Sequence, residues 1–578
     1  MSAVPAVREP SARYFGSRPA LIDHFGLALP AEGGVARLRE LILSLALRGK
    51  LSEQSARDET AADYLRRHLL ASATVEPVSN AEPFDVPSNW VWVPLGQLGV
   101  VGSSSRVHQS DWTTSGVPFY RAREVVVLSK HGHVQNELFI SEALFQRLAS
   151  KGLVPEEGDI MLTGVGTIGV PYAVQAHDRF YFKDASVLIF KNKLRIDARY
   201  LTLCFRSQYW KRRIHETSMG TTVDTLTISR ASTVPLPIPP IAEQARIVAR
   251  VDELMRLCDA LEEKGRLAAE QHARLLSTLL GTLTDSAAPE ELAANWQRVA
   301  EHFDLLLDRP EAVDAFEASI LELAVRGHLV DQSDSDVPAH EVLGRLRQSR
   351  KVRRKIVELS DDIDMADVNL RVPAGWAWAS VDELSADEEN AIADGPFGAN
   401  LKTEHYINKP GFRVIRLQNI GAGVFKGEHE AFIDRERFDR LSRHHVRAGD
   451  IVVAGLVDES IRCCLVPEHL GPALVKADCY RYAVHPELSA EYVCLYLSSA
   501  TAHEFASIHH HGLTLTRIGL GNFRSIPVLL PPPSEQARIV ARVTELRQLC
   551  ATLRERLEAQ QATQSRLAEA LVEQALSA

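Results

Sequence analysis

Ile238–Leu254 reads IPPIAEQARIVARVDEL, and Leu530–Leu546 reads LPPPSEQARIVARVTEL. Proline cannot continue a helix but suits its first turn, so each stretch predicts the start of a helix after a proline break. Apolar residues then recur at spacings of four and three: Ile247, Val251, Leu254, Cys258 and Leu261 in the first copy, and Ile539, Val543, Leu546, Cys550 and Leu553 in the second. The second stripe runs on through Leu557, Leu567 and Leu571. Such a heptad seam on one helix needs a partner, and the other copy is the partner the sequence offers.

Working outward, the duplication widens. HFGLALPAEGGVARLRELILSLALRGKL from His24 aligns without a gap with HFDLLLDRPEAVDAFEASILELAVRGHL from His302. Both carry a helical apolar stripe (Leu38, Leu41, Ile42 and Leu45; Phe316, Ile320 and Leu323), closed by Arg-Gly as a C-cap signal. Further on, VPSNWVW (Val86–Trp92) matches VPAGWAW (Val372–Trp378). Three matches in the same order in both halves mark one unit written twice. The expected organisation is an extension over 1–23, a helical scaffold and linker over 24–85, a globular domain over 86–237, a central helical region over 238–371, a second globular domain over 372–529 and a closing helix over 530–578. The fold class this predicts is α+β, with two α/β domains separated by a long antiparallel helical coiled coil and pseudo-two-fold symmetry. Between the helices, runs such as REVVVLS, GDIMLTG and FRVIRLQNI read as strands among Gly, Pro and Asp turns. The globular segments match each other poorly while their flanks match well.

Composition narrows the function. The 578 residues are 45% hydrophobic and 24% charged, an ordinary globular balance with room for several domains. No apolar run is long enough to cross a membrane, and the N-terminus lacks the pattern of a signal peptide. Seven cysteines without a C-x-x-C pair argue against a disulfide framework or a zinc knuckle, so a cytoplasmic protein is expected. The formal net charge of −10 means that any DNA-binding charge must be local. Residues 106–233 carry an excess of about five cations, whereas 234–305 are about five in deficit, as contact with a phosphate backbone would require.

These residues resemble the DNA-specificity subunits of type I restriction–modification enzymes. The resemblance rests on VPSNWVWVPLGQLG and VPAGWAWASVDELS opening the variable segments, on the paired Pro-Pro-x-x-E-Q-x-R-I-V elements closing them, and on DGPFGANLKTEHY with GFRVIRLQNIGAG inside the second. It covers the chain from about residue 24 to the end. It implies two target-recognition domains, each reading half of a split double-stranded DNA sequence, on helices that space them and dock two methyltransferase subunits. It further implies no catalysis and no cofactor in this chain. S-adenosylmethionine would serve adenine methylation in the methyltransferase, and ATP and Mg would serve a motor–nuclease partner.

Candidate DNA contacts follow from residue chemistry. Arg grips guanine through O6 and N7, and Gln or Asn grips adenine through N6 and N7. Arg121 and Arg123, expected on one face of a strand, and Arg413, Arg416, Gln418 and Asn419 fit this, although salt bridges are the competing reading for each. GVGTIG (Gly164–Gly169) satisfies a dinucleotide fingerprint by spelling alone, since an extended run follows it instead of a helix. It reads as a tight turn, or one whose amides at Gly166 and Thr167 approach a phosphate. Lys402 reads as a phosphate contact, and Arg212, in Lys211-Arg212-Arg213, as a solvated helix end or phosphate contact; Thr221, Thr222, Thr514 and Thr516 sit at matching places before the closing elements, and Arg517 is a further candidate DNA contact. His510, amid His509–His511, reads as a polar loop or a DNA contact rather than a metal ligand, because neighbouring strand side chains face opposite ways. Trp90, Trp92, Trp376 and Trp378 read as packing at domain entry, and Glu243-Gln244 and Glu535-Gln536 as first-turn residues favoured by the helix dipole. The chain has no Asp/Asn-Pro-Pro-Tyr/Phe string, Walker A loop or H-E-x-x-H. A coiled-coil scaffold with two protein-binding modules is the alternative in another class, and an autonomous methyltransferase–nuclease is disfavoured by those missing motifs.

Overall fold

The computed structural model describes residues 33–68, 83–150, 152–216, 224–286, 288–352, 355–359, 371–457, 460–508 and 516–577. The fold is mixed α and β, in two compact units: 1–268 with 560–578, and 269–559. Four helices form the scaffold: α1 (Gly34–Leu47), α2 (Ile241–Thr284), α3 (Pro310–Val325) and α4 (Pro533–Ser577).

Both Arg-Gly stops behave as read. Arg48 and Arg326 are the C-caps, and Gly49 and Gly327 follow at φ 66° and 76°. A side chain there would meet a second obstacle, because a Cβ on Gly49 would lie 2.5 Å from Pro87 and one on Gly327 would lie 2.6 Å from Pro373. The helix stop and the V-P-x-x-W element thus pack on one another, which explains why they were copied together.

The heptad seam is distributed differently from the expected pairing of the two long helices. In the first unit Ile247, Val251, Leu254 and Cys258 share a core with Ile42 and Ala46 of α1. Arg39 reaches across to Asp259 and Glu262 at 2.6 and 2.7 Å. Leu261 is 37% exposed and outside that core. In the second unit Ile539, Val543 and Cys550, flanked by half-buried Leu546 and Leu553, share a core with Phe316, Ile320 and Ala324 of α3. Arg547 and Arg554 bridge there to Glu317 and Asp314. The far end of the other long helix also reaches each unit: Leu276, Leu280 and Leu283 of α2 join the core of the second, and in the first Arg37 bonds Ser565 O and the exposed Glu569 of α4.

The strands are β1 (Val91–Pro94), β2 (Val100–Ser103), β3 (Trp112–Thr113), β4 (Val117–Tyr120), β5 (Phe139–Ile140), β6 (Ile160–Thr163), β7 (Pro171–Ala173), β8 (Tyr181–Phe182), β9 (Val187–Lys191) and β10 (Pro235–Ile238) in the first unit. The second holds β11 (Ala377–Ser380), β12 (Ile392–Asp394), β13 (Phe412–Ile415), β14 (Phe432–Ile433), β15 (His445–Val446), β16 (Ile451–Ala454), β17 (Leu456–Val457), β18 (Cys463–Leu465), β19 (Ala473–Val475), β20 (Cys479–Tyr482), β21 (Thr516–Arg517) and β22 (Pro527–Leu530). The main sheets, β2-β9-β6-β7 and β12-β20-β16-β18, are antiparallel throughout and topologically identical. Each unit adds a smaller sheet around one parallel pair, β4 with β8 and β13 with β19. The domains that look unrelated in sequence therefore share a chain path.

REVVVLS is a helix (Ala122–His131), not a strand. The Glu124 carboxylate returns to the Arg121 amide at 2.9 Å, Val125 and Leu128 bury one face, and Gly132 closes the helix at φ 72°. Valine costs a helix only some tenths of a kcal/mol, so a cap and a buried stripe outweigh it.

Entry and exit of each domain are joined by a two-stranded ribbon, β1 with β10 and β11 with β22. Beside each ribbon stands the same set of bonds. Trp90 Nε1 donates to Glu243 Oε2 and Trp376 Nε1 to Glu535 Oε2, both at 3.0 Å. Gln244 Oε1 accepts from the Asp197 amide (2.8 Å) and Gln536 Oε1 from the Ser489 amide (2.9 Å). Gln244 Nε2 donates to Pro239 O and Gln536 Nε2 to Pro531 O. All four acidic and amide side chains are buried. They occupy the first helical turn as expected, but their role is to clamp the domain, which the dipole argument missed.

Candidate nucleic-acid interface

In each domain the strands deliver several loops to one end. In the second unit β12 and β16 finish there and β20 begins there, so the Gly395 amide bonds Cys479 O (3.1 Å) and the Gly455 amide bonds Asp478 O (2.7 Å). The parallel pair ends at the same place, with Lys476 N donating to Ile415 O at 2.8 Å. Strand β21 closes the group, with Arg517 opposite Leu456 and the Ile518 amide on Gly455 O. The first unit repeats the pattern. Lys183 N bonds Tyr120 O (2.8 Å), Gly164 N bonds Ser186 O (2.8 Å), and Leu226 N bonds Gly164 O (2.9 Å). Each connector also holds one non-glycine residue in the left-handed region, Ala185 at φ 57° and Asp478 at φ 68°.

Arg121 and Arg416 thus hold equivalent places, one residue past the first strand of the parallel pair, and Lys183 and Lys476 stand beside them past the second. In the second unit this end is cationic and aromatic. The Arg416 guanidinium and the Lys476 ammonium lie 6.0 and 5.5 Å from the centre of the Tyr406 ring. Arg517 covers Phe397, itself 43% exposed, at 5.0 Å, and pairs with Asp478 at 2.9 Å. A positive rim laid over aromatic rings suits phosphates and base edges.

Other candidates are corrected by their surroundings. Arg121 and Arg123 do not share a strand face: Arg121 is the N-cap of the helix Ala122–His131, Arg123 lies in its first turn, and both converge on buried Glu124, at 2.8 and 2.6 Å. Burial would raise the Glu124 carboxyl, but these guanidiniums hold it below the usual range. Arg413 is buried, bound to Glu430 at 2.7 Å and to Gly427 O at 2.8 Å, so it fastens the loop 427–430. Asn419 is fully buried and bonds Lys426 O, Glu428 O and the Arg416 amide. Gln418 beside it is exposed. Gly166 (φ 72°) and Thr167 form the exposed tip of the β6–β7 turn, which Thr163 pins through its bond with the Val170 amide. Lys402 is exposed, 3.8 Å from Glu404, and Arg212 is exposed on the last turn of the helix Gln208–His215. Thr221, Thr222, His510 and Thr514 lie outside the described residues. Among the described residues no cluster of metal-ligating side chains occurs, and no helix is long and apolar enough to cross a membrane.

Lys183 and Lys476 were not singled out by the sequence. The signal was faint: each follows two apolar strand residues and precedes Asp or Ala, but only the parallel pairing aligns them.

A duplicated helical scaffold bearing two such domains is what the resemblance to the type I specificity subunits implied, and the comparisons point the same way. The family model for the type I restriction modification DNA specificity domain matches residues 87–271. The chain is similar to the Escherichia coli type I restriction enzyme EcoEI specificity subunit and to its EcoAI counterpart, 27% identical to each over 94% of both chains. A solved structure of a type I R-M system covers 86% of this chain and 99% of its own, at 16% identity and a TM-score of 0.47. The resemblance read from the sequence is thus found along nearly the whole length of two type I restriction enzyme specificity subunits.

Proposed function

We propose that the chain reads a split DNA sequence, one half with the loop end of each domain, and that its helices carry methyltransferase subunits that methylate adenine within it. The observation that carries this reading is the loop end itself. The same backbone bonds recur in both units (Gly164 and Gly455, Lys183 and Lys476), while the surroundings differ: Arg121 is held by Glu124 in the first, and Arg416 lies beside Tyr406 in the second. A common frame with unlike surroundings suits two dissimilar half-sites. Chemistry is then supplied by partners: S-adenosylmethionine by the methyltransferase, and ATP and Mg by a motor–nuclease subunit.

The test is methylome sequencing in cells carrying the chain with its methyltransferase. Replacing residues 106–233 by the equivalent domain of another specificity subunit is expected to change one half of the methylated motif and leave the other. A change in both halves, or a single undivided motif, sinks the modular reading. Arg416→Ala is expected to relax selection in one half-site only, costing about 1–3 kcal/mol if the guanidinium leaves His429 O to grip guanine. Lys402→Ala should instead weaken all sequences alike and lower the salt slope by about one charge, measured by DNA titration across salt concentrations.

A further inference from the structure

We infer that Glu243, Gln244, Glu535 and Gln536, with Trp90 and Trp376, are positioning residues that fix the angle between each recognition domain and its long helix, and thereby the number of base pairs between the half-sites. This deepens the DNA-recognition reading proposed above and rests on it.

The covalent joint alone leaves the domain free to pivot. Only four residue pairs link β1 to β10, and four link β11 to β22. A two-stranded ribbon twists readily and is marginal by itself. Packing of the domain helices on the scaffold within one apolar core limits that freedom, and the clamp bonds add directional ties that join three elements at the first helical turn. The indole belongs to the entry segment, and Pro239 O and Pro531 O belong to the exit segment. The Asp197 and Ser489 amides belong to the N-caps of the domain helices Ala198–Arg206 and Ala490–Leu497. Tyr200 and Tyr492, in those helices, tie back to Pro237 O (2.6 Å) and Leu529 O (2.7 Å).

Holding a carboxylate and an amide in a dry core is a costly way to gain adhesion, since apolar residues of like volume commonly do as well or better. What directional polar groups add is a single orientation. Both copies keep these bonds at matching lengths, though the domains they hold have diverged. Leverage shows why orientation matters. A domain of about 140 residues has a radius of gyration of about 14 Å, which puts its far end about 20–30 Å from the clamp. A swing of about 10° then moves the loop end by about 4 Å, more than the rise of about 3.4 Å per base pair.

The experiment uses the full chain assembled with its methyltransferase on a DNA library in which the two half-sites of its motif are separated by every spacer from two base pairs shorter to two longer. Wild type is expected to methylate one spacer. Trp376→Phe, which keeps the ring but removes the donor, and Gln536→Ala are expected to raise methylation at spacers one base pair off by at least tenfold relative to the native spacer, with base preferences inside each half-site unchanged. Glu535→Gln, which keeps an acceptor for Trp376, should retain the wild-type spacer. Thermal unfolding shows which variants are folded, and Trp376→Phe decides if Gln536→Ala is not. Folded variants that lose activity equally at all spacers, or keep the native spacer alone, overturn the inference. Failure of wild type to methylate any split sequence would instead overturn the DNA-recognition reading.

Discussion

Val543→Asp is expected to destabilise the second unit by on the order of 4–5 kcal/mol, the sum of lost apolar burial and an unpaired charge in a dry core. Val543 is 1% exposed and shares its core with Ile539, Cys550, Phe316 and Ile320. Val251→Asp should do the same to the first unit, because Val251 is equally buried beside Ile42 and Ala46 of α1. The two substitutions separate this packing from a single seam shared by the long helices. Hydrogen exchange should show Val543→Asp loosening α3 and the second recognition domain, and Val251→Asp loosening α1 and the first. A seam made only by α2 against α4 would instead give both variants one common pattern.

The contrast shows what a sequence pattern can carry. Periodicity established that α2 and α4 are helices with one apolar stripe, and both were legible to within a few residues. It could not say what covers the stripe, since α1, α3 and the other long helix all present apolar faces of the same period. The Arg-Gly stops and the entry tryptophans were legible because duplication flagged them and few conformations fit those residues. The interface was harder. Arg413, Arg416 and Asn419 have the chemistry of base readers, yet two of the three are buried as loop fasteners, and burial depends on the distant residues Gly427–Glu430. Lys183 and Lys476 are ordinary in sequence and become equivalent only through a parallel pairing between strands some 60 residues apart. Glu243 and Gln244 were noticed, but a local principle, the helix dipole, explained them too cheaply. Their partner Trp90 lies 153 residues away.

The two clamps differ in one oxygen, and that difference has a pH signature. Glu243 has both oxygens occupied: Oε2 accepts from Trp90, and Oε1 accepts from Ser52 Oγ (2.8 Å) and Gln54 Nε2 (2.6 Å). In the second copy Val330 stands where Ser52 stands in the first, and Glu535 Oε1 is buried without a hydrogen-bond partner among the described residues. Burial pushes the Glu535 carboxyl up to about 6, with the Trp376 bond and Arg538 only partly opposing it. A carboxyl that holds its proton more tightly when folded favours folding at low pH. The second unit is therefore expected to lose about 2 kcal/mol of stability as pH rises from about 4.5, where the unfolded chain ionises, through about 6. Above that range the folded state carries the full cost of the buried charge. Glu535→Gln should abolish this slope, matching wild type near pH 4.5 and exceeding it by about 2 kcal/mol at pH 7.5. Val330→Ser, by restoring the hydroxyl that the first copy has, should flatten the slope while keeping the carboxylate. Glu243→Ala should behave oppositely, losing about 3 kcal/mol at neutral pH because three donors are stranded. Chemical denaturation from pH 4.5 to 7.5, followed by total tryptophan fluorescence and by hydrogen exchange in each unit, measures all of this. A wild-type stability flat across that window, or a Glu535→Gln variant weaker than wild type at pH 7.5, would show that the second carboxylate finds a partner in solution after all.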